Sequence, residues 1–153
     1  MRLRFDSRMG DDIGYLSLGE GFDLWIVPRS GHQQKAAALR VDYGSVDLDI
    51  CSADGQQVWS TPLGTAHFLE HRLFEKACGD ITDRFNALSG DVNASTSYTA
   101  TIFTLACVEH FSANLELLFE LVFDFTLPAG SVEREREIIV RELRSGNDDP
   151  EWM

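Results

Sequence analysis

Apolar residues in the first third of the chain occur in short alternating segments that glycine-containing turns separate. Alternation of apolar and polar residues is typical of half-buried strands, and the Gly19-Glu20-Gly21 turn between two such segments predicts a hairpin. The predicted strands of this part are residues 14–18, 22–27 and 36–43. The polar stretch that follows, residues 47–61, is predicted to be a surface loop.

In the second half, apolar residues recur every three or four positions, which predicts helices that bury one face. A strand pair rich in Thr, Ile and Phe interrupts these helices. The predicted elements are helices over 64–76, 81–88, 112–125 and from 131 to about 145, and strands over 92–95 and 98–108. We therefore expect an α+β fold, with helices packed on a mostly antiparallel sheet of about five to six strands, in a single domain over residues 1–153.

The amino-acid composition limits both the class of protein and the partners that are expected. Apolar residues make up 44% of the chain and charged residues 25%, as in a globular protein. With 25 acidic and 13 basic side chains the net charge is -12, so no basic surface is expected to bind nucleic acid. Neither a bilayer-spanning stretch nor a secretory signal is visible, so no membrane partner is expected. Three widely spaced cysteines suit a reducing compartment and predict a cytoplasmic location.

The residues with the clearest chemistry are the five from His67 to His71, which read His-Phe-Leu-Glu-His. On a helix, His67 and His71 lie one turn apart on the same face and can bind one metal ion. Glu70 projects beside that ion without ligating it, which is the inverted zincin arrangement. A catalytic zinc ion takes three protein ligands and a water, so a third ligand is expected elsewhere in the chain.

Helical spacing selects this third ligand from the acidic last helix. Glu142 lies within about 20° of Glu135 around the helix axis, between the directions of Ile138 and Ile139. A carboxylate on a buried face needs a partner of opposite charge, and a zinc ion is such a partner. We expect one zinc ion, ligated by the two histidines and Glu142, with Glu135 orienting a histidine.

This arrangement predicts hydrolysis of peptide bonds. Zinc lowers the pKa of its bound water towards neutrality, and Glu70 takes the proton as hydroxide attacks the peptide carbonyl. Glu70 then passes the proton to the departing amine. Two simpler interpretations stay open from the residues alone: the histidines are surface residues of a charged helix, and Glu135 is an exposed acid at a helix start.

Four segments of the chain resemble the insulinase-like (pitrilysin, or M16) metallopeptidases, especially bacterial and processing-peptidase-like members. These segments are residues 43–45 (YGS), 64–76 (GTAHFLEHRLFEK), 93–97 (NASTS) and 133–142 (EREREIIVRE). The resemblance implies that His67, His71 and Glu142 are the zinc ligands, that Glu70 is the general base and that Glu135 is a supporting catalytic acid. It also implies that an extended peptide pairs with an edge strand at Asn93 and Ala94.

The chain is short for this family. Its members are similar to a clamshell of two related halves, and the metal lies in the first half. The resemblance therefore implies a truncated N-terminal catalytic domain that works with a second M16-like half or subunit, in a homodimer or a heterodimer. One alternative is a non-catalytic or incomplete subunit of a two-part peptidase.

A second alternative is a metalloenzyme similar to S-ribosylhomocysteine lyase. That family shares the His-x-x-Glu-His helix and uses a cysteine as its third ligand. Cys107 would be the candidate, but the chain lacks the glycine-cysteine segment of that family. The sequence favours the peptidase.

Overall fold

The computed structural model describes residues 4–6, 13–19, 21–52, 54–77, 79–125 and 137–141. The chain divides into two compact units, Met1–Gln33 and Gln34–Met153. Within the described ranges, no helix is long and apolar enough to cross a membrane. The single domain predicted over residues 1–153 stays a prediction.

Among its described residues, the first unit contains three strands, β1 (Arg4–Asp6), β2 (Ile13–Gly19) and β3 (Phe22–Ile26). They form an antiparallel sheet in the order β1-β2-β3. β2 and β3 are the predicted hairpin, and their turn contains Gly21 at a φ of 75°, which favours glycine. Tyr15 lies opposite Trp25 across the hairpin with ring centroids 4.7 Å apart, so a cross-strand aromatic pair supports this register. β1 was not predicted.

The second unit contains the remaining elements. Its strands are β4 (Lys35–Val41), β5 (Asp49–Cys51), β6 (Val58–Ser60), β7 (Glu75–Lys76), β8 (Gly79–Asp80), β9 (Gly90–Thr96) and β10 (Thr101–Cys107). Its helices are α1 (Thr65–Phe74), α2 (Thr82–Ala87) and α3 (Phe111–Phe123), and residues 137–141 are also helical. β4, β10 and β9 form an antiparallel sheet in that order, while β5 pairs with β6 and β7 with β8. The predicted α+β class with antiparallel strands is confirmed, and the described strands are divided among several sheets.

One face of the β4-β10-β9 sheet carries the hydrophobic core of this unit. Along β10 the side chains alternate, and Phe103 and Leu105 are buried against α2 and α3, as expected for a sheet with one covered face. The buried cluster consists of Ile81, Phe85, Phe103, Leu105, Leu117, Leu118 and Leu121. The predicted apolar helix is therefore confirmed as α3, and β9 lies beside α1 and α2.

The predicted loop over residues 47–61 is wrong in part, because β5 and β6 form a hairpin within it. Ile50 lies opposite Trp59, and Gly55 turns the chain at a φ of 68°. All residues of both strands are exposed, so no alternation of buried and exposed positions marked them in the sequence. Neither strand was predicted.

Helix α1 ends earlier than predicted, at Phe74 rather than at residue 76. Glu75 is extended, and the chain continues into the β7–β8 hairpin. This change of direction brings Lys76 Nζ to the main-chain oxygens of Glu120 (3.1 Å), Leu121 (2.9 Å) and Asp124 (2.5 Å). Since the last carbonyls of a helix have no partner within it, Lys76 caps the end of α3.

A charged pair joins α2 to α3. Arg84 Nη2 donates to Glu120 Oε2 at 2.8 Å, and Nη1 contacts Oε1. The hydrogen bond from Arg84 lowers the pKa of the Glu120 carboxyl, against a smaller opposing effect of burial. Just before α2, Asp80 Oδ1 accepts the Thr82 N–H at 2.8 Å.

Candidate metal centre and peptide-binding edge

Helix α1 brings His67 and His71 together as their spacing predicts. The two Nε2 atoms are 3.0 Å apart, and the rings meet nearly at right angles with centroids 4.6 Å apart. Both side chains are half-buried. At the start of the helix, Gly64 has a φ of 85° and the Thr65 hydroxyl donates to the Pro62 carbonyl at 2.6 Å. The turn before α1 is therefore stabilised by a hydrogen bond between residues close in the sequence.

The separation of the two imidazole nitrogens fits a shared zinc ion. Two nitrogens that bind one tetrahedral zinc at about 2.0–2.1 Å lie about 3.3–3.4 Å apart. The observed 3.0 Å differs from this by a few tenths of an ångström, which a small rotation of either ring provides. Among the described residues, no group of three His, Cys, Asp or Glu side chains could hold a metal ion. The predicted ligand Glu142 and the predicted supporting acid Glu135 lie outside the described residues.

Glu70 is held by a strand that the motif itself does not include. Thr96 Oγ1, at the end of β9, donates to Glu70 Oε2 at 2.5 Å. Thr96 also lies 3.3 Å from the hydroxyl of Thr101, its partner across the β9–β10 ladder. Thr96 was not among the residues predicted for the site. A signal was available, because Thr96 lies two positions after Ala94 and therefore on the same face of a strand.

Strand β9 is the edge of its sheet among the described residues, as the peptide-binding prediction requires. Ser97 N–H donates to the Ala100 carbonyl at 2.8 Å. Since bonded and non-bonded pairs alternate in an antiparallel ladder, the main-chain groups of Ala94 and Thr96 point away from β10, towards the edge. Accordingly, Ala94 N–H donates to the side-chain oxygen of Asn93 at 2.8 Å, rather than to β10.

The segment after β4 packs tightly on the β9–β10 turn. Ser45 N–H donates to the Ser97 carbonyl at 2.9 Å, and Val46 N–H donates to the Tyr98 carbonyl at 3.0 Å. A Cβ atom on Gly44 would lie 2.5 Å from main-chain atoms of the turn. This close approach explains why a glycine stands at this position.

Cys107 lies far from the paired histidines. It is buried in β10, six residues beyond Thr101, whose partner Thr96 contacts Glu70. At about 3.4 Å per residue, this distance along the strand is about 20 Å. Cys107 therefore cannot serve as the third ligand that the lyase alternative requires, and that alternative is not favoured.

Comparison with known proteins gives consistent results. Residues 59–152 match the family described as Insulinase (Peptidase family M16). The chain is 34% identical over 145 residues to the uncharacterized zinc protease YmfH of Bacillus subtilis, a match over 95% of this chain and 34% of YmfH. It is 28% identical over 137 residues to the zinc protease AlbF of the same species, covering 89% of this chain and 31% of AlbF.

Solved structures share the fold. An M16-like peptidase from Alicyclobacillus acidocaldarius matches with a TM-score of 0.82 and 31% identity, over 99% of this chain and 34% of that one. An M16 inactive domain from Pseudomonas fluorescens matches with a TM-score of 0.70 and 21% identity, over 90% of this chain and 32% of that one. At that identity the likeness concerns the fold alone. The chain thus spans about a third of the length of the relatives it matches.

Proposed function

Because the chain belongs to the insulinase family, peptidase family M16, we propose that it is the metal-binding domain of a zinc endopeptidase that hydrolyses extended peptides. The observation that carries this proposal is the pair of imidazole nitrogens 3.0 Å apart, on the helix that also bears Glu70 and beside the edge strand β9. Two half-buried histidines that face each other are not expected if they were merely surface residues of a charged helix.

In this proposal, His67 and His71 hold one zinc ion, and Glu142 completes the protein ligands. Glu135 would orient one of the histidines. In the described helical residues 137–141, Ile139 is buried and Glu137 is exposed, which supports a helix with one inward face. When bound, zinc lowers the pKa of its water towards neutrality and polarises the peptide carbonyl.

Glu70 is the group that moves the proton. Its Oε2 atom accepts the hydroxyl of Thr96, so Oε1 is the oxygen that takes a proton from the attacking water. The same oxygen then gives the proton to the departing amine. A carboxylate that both accepts and returns a proton needs no further acid for this step.

The peptide would bind along β9 as an added strand. The main-chain groups of Ala94 and Thr96 face the edge, where they can pair with the main chain of an extended peptide. Asn93 is exposed, and its side chain now occupies the Ala94 N–H. For the peptide to bind, the Asn93 side chain must either release the Ala94 N–H to the peptide or form its own hydrogen bond with the peptide.

In this proposal, the rest of a two-part peptidase is supplied by a second half or by another subunit. The chain covers 34% of its relative YmfH, which supports a second M16-like half or subunit, in a homodimer or a heterodimer. A cytoplasmic location is proposed on the cysteine content alone. The competing proposal, a non-catalytic subunit, predicts metal binding or assembly without turnover.

The test measures chelator-sensitive cleavage of an unstructured, quenched peptide by this chain, alone and with any downstream sequence of its gene. Glu70→Gln should retain bound zinc but lose about 10²- to 10⁴-fold in kcat, because it removes the proton acceptor and no ligand. Glu116→Gln, an exposed acid on α3, is the matched control and should leave both unchanged. Zinc binding without cleavage in either form favours the non-catalytic subunit, and full turnover by Glu70→Gln refutes the role of Glu70.

A further inference from the structure

We propose that Thr96 is a positioning residue for Glu70: its hydroxyl holds one oxygen of the carboxylate and leaves the other for the reacting water. This inference rests on the proposed function, since orientation of Glu70 affects turnover only if Glu70 moves a proton. It adds a residue on β9 to a set of catalytic groups that were predicted only on helices.

The contact between the two side chains is short and joins a rigid group to a flexible one. The Oγ1–Oε2 distance is 2.5 Å, in the range of about 2.5–2.7 Å for a hydroxyl that donates to a carboxylate. Threonine is β-branched and has one restricted side-chain torsion on a strand. Glutamate has three torsions and adopts many rotamers when it has no partner. The strand residue therefore determines the direction of the helix residue.

The protons of the neighbouring hydroxyls support this assignment. Each hydroxyl has one proton, and an ionised carboxylate only accepts. Thr101 Oγ1 is 2.9 Å from the Tyr43 carbonyl but 3.3 Å from Thr96 Oγ1, so its proton goes to the main chain. Thr96 keeps its own proton for Glu70. The Thr101 hydroxyl therefore does not compete with Glu70 for the Thr96 proton.

The second oxygen of Glu70 is left available. Among the described residues, Oε1 accepts no hydrogen bond, and Oε2 accepts only that of Thr96. Without the hydroxyl, the carboxylate can rotate about its side-chain torsions. Misplacement of a reacting group by about 1 Å can lower a rate by about 10². The hydroxyl should therefore matter for kcat more than for peptide affinity.

The experiment compares Thr96→Val, Thr96→Ser and Thr104→Val in the zinc-loaded protein, in whichever form the wild type cleaves peptide. Thr104 is an exposed threonine on β10 whose hydroxyl makes a 3.3 Å contact with the Asn93 carbonyl, and it serves as the matched control. We expect Thr96→Val to lower kcat by about 10- to 100-fold with KM nearly unchanged. Thr96→Ser, which keeps the hydroxyl, should recover most of kcat, and zinc content should stay equal in all variants.

A second measurement needs neither metal nor turnover. In a double-mutant cycle on the metal-free chain, the effects of Thr96→Val and Glu70→Ala on urea unfolding should be non-additive. Additive effects would show that the two side chains do not interact and would overturn the proposal. Coupling with an unchanged kcat in Thr96→Val, while Glu70→Gln is inactive, would also overturn it, because the hydrogen bond would then be structural only. Full activity of Glu70→Gln would instead reject the proposed function.

Discussion

Replacement of Gly44 by alanine tests whether the segment after β4 holds the β9–β10 turn in place. The φ of Gly44 lies outside the left-handed region, so alanine is compatible with its backbone. The space around Gly44, however, does not accommodate an alanine side chain. An added Cβ would lie 2.5 Å from the Ala100 and Thr99 nitrogens and from the Tyr98 carbonyl carbon. These are main-chain atoms, which cannot move aside as a flexible side chain can.

The size of the effect follows from the displacement required. An ordinary contact for such atoms is about 3.5–4.0 Å, so the two segments must separate by about 1 Å or more. Overpacking of this kind costs about 1–3 kcal/mol. Separation also weakens the bonds from Ser45 and Val46 to the turn, and loss of one such bond costs about 1 kcal/mol. We therefore expect a loss of about 2–4 kcal/mol in the free energy of unfolding, which is about 4 to 16 °C in Tm at this chain length.

Thermal unfolding followed by circular dichroism measures this loss. Gly19→Ala is the control, because a Cβ at Gly19 meets no atom within 4 Å, and its effect should stay within about 0.5 kcal/mol. If Gly44→Ala melted at the same temperature as Gly19→Ala, the close approach would not constrain the turn.

Two further predictions concern helix α3. Lys76→Met should lower the free energy of unfolding in urea by about 1–3 kcal/mol, because it removes the charged donor from three carbonyls. Lys35→Met is the control and should have little effect, since it loses one exposed contact. Equal effects of the two substitutions would contradict the capping role of Lys76. In the folded chain the pKa of Glu120 lies below its ordinary value of 4.5. The pairing of Glu120 with Arg84 therefore stabilises the fold above about pH 4.5, and this stabilisation is lost as the pH falls through the lowered pKa. Arg84→Gln should raise the Glu120 pKa towards 4.5 in a carbon-13 NMR titration, and an unchanged titration would show that Arg84 does not cause the shift.

Much of the second unit could be predicted because its elements bury one face. The periodic apolar residues of α3 and the alternation along β10 follow from that burial. Prediction failed where burial gave no pattern, as in the exposed β5–β6 hairpin, or where a residue has its partners far away in the sequence, as Lys76 does after the end of α1. Such contacts depend on residues more than 40 positions away, which local propensity does not report.

The sequence was sufficient to predict the paired imidazoles of α1, since residues four positions apart, such as His67 and His71, lie on one face of any helix. It also predicted an edge strand at Asn93 and Ala94 through resemblance. The three-dimensional packing was needed to show that Thr96 reaches Glu70 and that the main chain of Ala94 faces the edge. These facts depend on which strand packs beside the helix and in which register, and both are set by the burial of the whole sheet face rather than by any local segment.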